Sequence, residues 1–207
     1  MTPSETKPEN TFSPFIDKAL FFILSSPSGA GKDAVLKLLK RSSYPLTYIT
    51  TITTRAKRTH EKEGIDYYFV TDHHFQQMII NNKLLEWAEV YGNRYGVPRE
   101  PVEKALEEGK DIMVKVDVQG AITIKKQIPQ AILIFMTPPS TEELTTRLRK
   151  RQTETSLDLA RRLQTAEQEL KQIPIFDYLV INYQGELGLT AATIKSIITA
   201  ERYRIKN

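Results

Sequence analysis

Residues 21–40 read FFILSSPSGAGKDAVLKLLK, and the fold turns on how this stretch is read. Phe21–Leu24 is an unbroken apolar run of the kind that a strand buried on both faces requires. Ala34–Lys40 then sets Val35, Leu36, Leu38 and Leu39 at helical spacing. Between them Gly29 and Gly31 let the backbone bend so that its amides turn inward. Strand, glycine-bearing loop and helix, in that order, form an anion cradle: the helix N-terminus adds its dipole and Lys32 reaches the outer phosphates of a nucleoside triphosphate. The loop departs from the pattern G-x-x-x-x-G-K-[ST] at both ends, with Ser26 in the first glycine position and Asp33 in the hydroxyl position.

Outward from the loop, apolar runs bounded by turn residues predict strands at Ala19–Ser25, Tyr48–Thr51, Ile112–Val116, Ile132–Met136 and Tyr178–Ile181, with helical patterns between most of them. That alternation argues for an α/β fold, a parallel sheet with helices on both faces. From Arg55 to Arg99 the pattern changes to a basic turn, short aromatic strands around Tyr67–Val70, a helix near Asp72–Asn81 and then a loop, which reads as a small inserted lobe. Ser140–Lys171, dense in arginine and carboxylate at helical spacing, reads as a mobile cover over a site. Leu189–Lys206 places Ile194, Ile197, Ile198 and Tyr203 on one helical face to close the core. The first fourteen residues, rich in Pro, Ser, Thr and Glu, read as a disordered tail.

The 207 residues include 29 Lys and Arg against 25 Asp and Glu, a net charge of +4. This suits an anionic ligand, but the two signs alternate along the chain, so neither nucleic acid nor a membrane surface is expected as a partner. With no cysteine, disulfides, thiolate metal sites and thiol catalysis drop out, and a cytoplasmic location is expected. Apolar runs such as Ala19–Leu24 are far too short to cross a bilayer, and none has the form of a signal peptide.

After the strand at Tyr48 come TTRAKR (Thr53–Arg58), GIDYYFV (Gly64–Val70), LLEWAEVYGNRYG (Leu84–Gly96) and VDVQGA (Val116–Ala121). In this order the chain resembles the guanylate kinases, which transfer the terminal phosphate of ATP to GMP in purine nucleotide metabolism. The resemblance runs from about Phe21 to the C-terminus. It implies a P-loop NTPase-type domain over 15–207, with a core at about 18–52, 100–139 and 172–207, a GMP-binding lobe at about 53–99 and a lid at about 140–171.

The resemblance assigns Ser26, Pro27, Ser28, Gly29, Ala30, Gly31, Lys32 and Asp33 to the ATP phosphates, and Asn182 to a position near adenine. It assigns Arg55, Arg58, Tyr67 and Tyr95 to the GMP phosphate, a dianion that guanidinium groups grip through paired hydrogen bonds. Glu86 matches the carboxylate that accepts both adjacent donors of guanine, and Thr51 and Asp117 lie near the base. A site that pairs these groups rejects adenine by leaving them unpaired. Val97 stands where the family usually has serine or threonine, which removes one hydrogen bond to the base. Lys32, Arg55 and the lid arginines Arg147, Arg151 and Arg162 form the expected catalytic set, fixed cations for the charge that develops on the moving phosphoryl group.

In the family the loop lysine is followed by serine or threonine, which helps to hold Mg2+, and an aspartate lies two residues before the position of Asp117. Here these are Asp33 and Lys115. The expectation is that Asp33 approaches the Mg2+ of the ATP co-substrate, directly or through water, while Lys115 either pairs with Asp33 or contacts a phosphate oxygen. Competing readings are a protein-binding module of this fold without catalysis, and a related kinase acting on a sugar bisphosphate. GAGK and the arginines speak against the first, and Tyr67, Glu86, Tyr95 and VDVQGA against the second. A nucleic-acid binder would have no need of the loop. Monomer and homo-oligomer both stay open.

Overall fold

The computed structural model describes residues 18–42, 44–149 and 156–205; the tail expected at 1–14 and the lid residue Arg151 lie outside these. Along the chain run β1 (Phe21–Ser25), α1 (Lys32–Arg41), β2 (Thr47–Ile49), β3 (Ile52–Thr53), β4 (Tyr68–Phe69), α2 (Asp72–Ile80), β5 (Leu84–Val90), β6 (Asn93–Pro98), α3 (Arg99–Glu107), β7 (Ile112–Lys115), α4 (Val118–Gln127), β8 (Ile132–Thr137), α5 (Thr141–Arg149), α6 (Ser156–Leu170), a 3-10 turn (Ile173–Ile175), β9 (Tyr178–Ile181) and α7 (Leu187–Arg202).

The fully apolar run of β1 makes it the middle strand of a parallel five-stranded sheet, in the order β2-β7-β1-β8-β9. Successive side chains of a strand point to opposite faces, and the core divides accordingly. Phe22 and Leu24 pack with Val35, Leu36 and Leu39 of α1 and with Ile194 and Ile198 of α7. Phe21 and Ile23 pack on the other side with Val102 of α3 and with Ala121 and Ile124 of α4. Helices therefore cover both faces, as the alternation of runs predicts. The five expected strands are all present, their ends shifted by no more than two residues.

A second sheet, in the order β4-β3-β6-β5, stands beside the first. Here the expected loop after α2 is corrected: residues 84–98 form an antiparallel hairpin, with Val90 paired to Asn93 across a two-residue turn. Tyr91 and Gly92 both take positive φ, 52° and 73°, the geometry that lets a short turn follow the twist of its strands. Asn-Gly or Asp-Gly is the usual signal for such a turn, and Tyr-Gly does not carry it. The hairpin matters because it sets Ala88 opposite Tyr95 and holds Glu86 on the neighbouring strand.

The arginine-rich region forms α5 and α6, joined by a small apolar contact of Leu144 and Leu148 with Leu163 and Ala166. The last helix ends earlier than the pattern suggests. Ile194 and Ile198 are buried, but Tyr203 follows the final turn and is 68% exposed, so it does not close the core. Depth of burial sets the expected response to truncation. Leu133→Ala, in the fully buried β8, lowers unfolding stability by about 2–5 kcal/mol in urea titration, whereas Leu179→Ala, half-exposed on edge strand β9, stays within about 0.5 kcal/mol.

Candidate active site

The loop that follows β1 is shaped by what lies against it. Gly29 and Gly31 have φ of 86° and 95°, and neither has room for a side chain. A Cβ on Gly29 would meet Leu148 Cδ2 of α5 at 2.9 Å, and one on Gly31 would meet Asn182 Nδ2 at 2.8 Å. Gly31 also serves as the left-handed cap from which α1 starts. Lys32 reaches across to the end of β7, where its Nζ donates to Val116 O at 2.7 Å. Burial pulls its ammonium below the ordinary lysine range, although Asp33, Asp117 and Glu169 pull the other way.

Of the two arrangements open to Lys115, the structure has the ion pair: Nζ donates to Asp33 Oδ1 at 2.8 Å. Lys115 is nearly buried and Asp33 about half exposed. The same ammonium lies 3.7 Å from the centroid of the Tyr67 ring, a cation–π contact. Lys115 thus joins the loop after β1 to the second sheet.

Arg55 and Tyr67 meet near the edge of that sheet, with the guanidinium 5.6 Å from the ring centroid and Tyr95 set edge-on to Tyr67 at 6.0 Å. Glu61, which sequence reasoning passed over, organises the turn. Its Oε1 accepts from Arg55 Nη2 at 2.7 Å and its Oε2 from the Arg58 amide at 2.8 Å. Burial pushes the Glu61 carboxyl up, but these bonds and the two guanidinium charges outweigh it and leave the group below the ordinary carboxylate range. Burial, with the charge of Asp33 behind it, holds the Tyr67 phenol above the ordinary tyrosine range. Both arginines and both tyrosines line one cavity.

That cavity, of about 620 Å³, runs from the glycine loop to the hairpin, a size suited to small-molecule ligands. Polar atoms of its lining that are buried with no hydrogen-bond partner among the described residues include Thr51 Oγ1, Glu86 Oε1, Asp117 Oδ2 and Glu169 Oε2. Buried polar atoms are almost always paired, and each one left unpaired costs about 1–3 kcal/mol. A cluster of such acceptors marks a place for a ligand that donates. Asp117 caps α4 through Oδ1, which accepts from the Gly120 amide at 2.7 Å. Glu86 lies so close to α4 that a Cβ on Gly120 would come within 2.7 Å of Oε1. Burial, then the charge of Asp117, pushes the Glu86 carboxyl up to about 8.

Other expected residues are placed differently. Asn182 is buried beneath the glycine loop, its Nδ2 donating to Ala30 O at 2.7 Å and its Oδ1 accepting from Thr190 at 2.9 Å, so its amide is committed to the loop. Arg147 donates to Ala30 O, Asn182 O and Glu143, tying α5 to the loop from outside the cavity. Arg162 does line the cavity and donates to Ser28 Oγ at 3.4 Å. Val97 is fully buried among Leu85 and Val102 in the apolar core. Gly120 and Glu169 were also missed. A glycine inside a helix was the one available signal for Gly120, and one of two glutamates on a helix of mixed charge gave none for Glu169.

Chemically the cavity can hold anions along the glycine loop and at Arg55, with a flat donor-bearing group between Thr51, Glu86 and Asp117. No group of three or more metal-ligating side chains occurs among the described residues, and no helix among them is long and apolar enough to cross a membrane. The guanylate kinase family profile matches residues 18–201. Guanylate kinase of Desulfitobacterium hafniense (strain Y51) is 42% identical over 90% of this chain and 92% of its own length, and that of Bacillus subtilis (strain 168) is 39% identical over 91% and 92%. The crystal structure of guanylate kinase from Anaplasma phagocytophilum superposes with a TM-score of 0.75 at 32% identity, covering 90% of this chain and 88% of that one. The likeness in sequence and in fold extends over about nine-tenths of the chain, and the chain belongs to the guanylate kinase family.

Proposed function

We propose that the protein transfers the terminal phosphate of ATP to GMP, giving ADP and GDP, and to dGMP, giving ADP and dGDP, in the cytoplasm. The observation that carries this reading is the set of unpartnered acceptors at Thr51, Glu86 and Asp117. Guanine presents a ring N–H and an amino group side by side, and an ionised Glu86 accepts both in one plane. Adenine lacks that pair of donors and leaves Glu86 buried and unpaired.

The GMP phosphate falls to Arg55, Arg58, Tyr67 and Tyr95, with Glu61 fixing the turn that carries both arginines. An attacking phosphate oxygen is largely ionised at neutral pH, since the second pKa of a phosphate ester is about 6. No general base is needed, and catalysis is positioning and charge stabilisation. ATP phosphates lie along Ser26–Asp33. Lys32 turns from the Val116 carbonyl to a phosphate oxygen, and its ammonium regains there the charge stabilisation that burial removes. Arg162 stands over the loop already. Arg147 contributes by releasing the Ala30 and Asn182 carbonyls, and Arg151 completes the lid set. Asn182 supports the adenine end by holding the loop.

Phosphoryl transfer of this kind typically uses a divalent cation, and Mg2+ fits the residues present. Asp33 offers a half-exposed carboxylate at the cavity, with Lys115 on one oxygen, and a cation that keeps most of its waters needs no cage of protein ligands. Asp33 would hold it through water. When bound, the cation neutralises charge on the transferred group.

Assaying ADP release from ATP and Mg2+ with each nucleoside monophosphate in turn gives turnover with GMP far above that with AMP, CMP or UMP; no turnover with GMP contradicts the reading. Glu86→Gln lowers kcat/KM for GMP by about 100-fold, the loss of one or two charge-assisted hydrogen bonds, and leaves the low rate with AMP unchanged. Asp33→Ser and Lys115→Asp, made singly and together, are expected to be strongly non-additive in turnover against Mg2+ concentration. The double variant recovers at least about fivefold over Lys115→Asp alone, about 1 kcal/mol of coupling; simple additivity would show that the pair is not a unit.

A further inference from the structure

Helix α6 brings two charged side chains down onto the glycine loop. Arg162 reaches the Ser28 hydroxyl, and Glu169, about two turns later, lies on the same helical face. Glu169 lines the same cavity as Lys32 and Asp117. Its carboxylate lies beside the Ser28 backbone N–H and within electrostatic reach of the Lys32 ammonium, while Oε2 is buried without a partner. No step of the transfer uses it.

A loop amide and the loop lysine are the two kinds of partner that a triphosphate requires, and Glu169 lines the same cavity beside both. A carboxylate and a phosphate oxygen carry the same sign of charge, so in a partly desolvated cleft they cannot share these donors without strong repulsion. We propose that Glu169 is an internal competitor for the donor nucleotide: its ionised carboxylate caps the empty loop, and the phosphates bind as that carboxylate is withdrawn or neutralised. Glu169 is thus a positioning residue that sets donor affinity and makes it depend on pH. The proposal rests on the reading of Ser26–Asp33 as the donor loop.

The groups facing Glu169 fix the direction of that dependence. They are Lys32 of α1, itself flanked by Asp33 and by Lys115 of β7; Asp117 at the start of α4; and the Ser28 amide, while Arg162 on the same helix is directed to the Ser28 hydroxyl. Burial pushes the Glu169 carboxyl up to about 7, with Lys32 drawing it down and Asp117 pushing it further up. The carboxyl is therefore mostly neutral near pH 6 and ionised above pH 8, and competition grows as pH rises.

The test is equilibrium binding of ADP by calorimetry, without GMP, to the full chain and to its Glu169→Gln and Glu169→Ala variants between about pH 6 and about pH 8.5. The ratio of wild-type Kd to variant Kd cancels the titration of the nucleotide itself. It is expected near one at the acid end and to reach about tenfold at the alkaline end, one decade per pH unit above the carboxyl's pKa at most. A ratio at or below one throughout, or one that does not change with pH, overturns the proposal and leaves Glu169 as a structural partner of Lys32. If thermal melting shows that these variants do not fold, Glu169→Asp, which keeps the charge but retracts it by one methylene, replaces them. It binds ADP more tightly than wild type at the alkaline end only, and equal binding at both ends overturns the proposal. A wild-type chain that binds no ADP at any pH contradicts the donor-loop reading itself, which is a separate failure.

Discussion

A buried carboxylate, one of whose oxygens finds no donor among the described residues, is the constraint around which this protein is arranged. Glu86 is 5% exposed, its Oε1 is unpartnered, and it presses against the backbone of α4 at Gly120. Folding alone gives nothing back for that arrangement, since a buried unpaired group destabilises the native state. A ligand that donates to it gives the energy back, and does so only in the folded protein. The hairpin β5–β6 holds the carboxylate, the Asp117 cap fixes the start of α4, and the absence of a side chain at Gly120 lets the two meet. Thr51 and Asp117 repeat the same logic with one unpaired oxygen each.

The second organising contact is the Lys115 ammonium, held between Asp33 and the ring of Tyr67. It joins the start of α1, beside the glycine loop, to the second sheet, so the two ends of the cavity meet at one cation. Without Lys115, Asp33 would be an extra negative charge beside a triphosphate. Without Asp33, Lys115 would be a largely buried ammonium short of its main partner. Each residue makes the other tolerable beside the loop.

Much of this was legible in the sequence because it follows from local chemistry. Phe21–Leu24 needs no context to be a buried strand, and Gly29, Gly31 and Lys32 carry their meaning in their spacing. The layered parallel sheet follows from the order of the apolar runs. What escaped depends on turn geometry, helix ends and backbone contacts that no local pattern displays. The hairpin at 84–98 was hidden by a Tyr-Gly turn whose strained tyrosine the sequence gives no reason to expect. Asn182 and Arg147 are committed to the Ala30 carbonyl, a backbone atom that no motif displays. Tyr203 has the right spacing for a core residue but falls one residue beyond the helix that would have buried it. Glu61 gained its role from the way one short turn folds back on Arg55, and Glu169 from Lys32, which only the fold brings near.

The ionisation of Glu86 tests the central claim most directly. Carbon-13 labelling of glutamate side chains, with Glu86→Gln to assign the signal, allows its carboxyl to be titrated by NMR in the empty protein and in the presence of saturating GMP. In the empty site the carboxyl titrates near 8, held up by burial and Asp117; with GMP bound it is expected to fall well below neutrality, because the two guanine donors stabilise the ionised form. A carboxyl that titrates in the ordinary glutamate range when empty, or that does not move when GMP binds, would contradict this account.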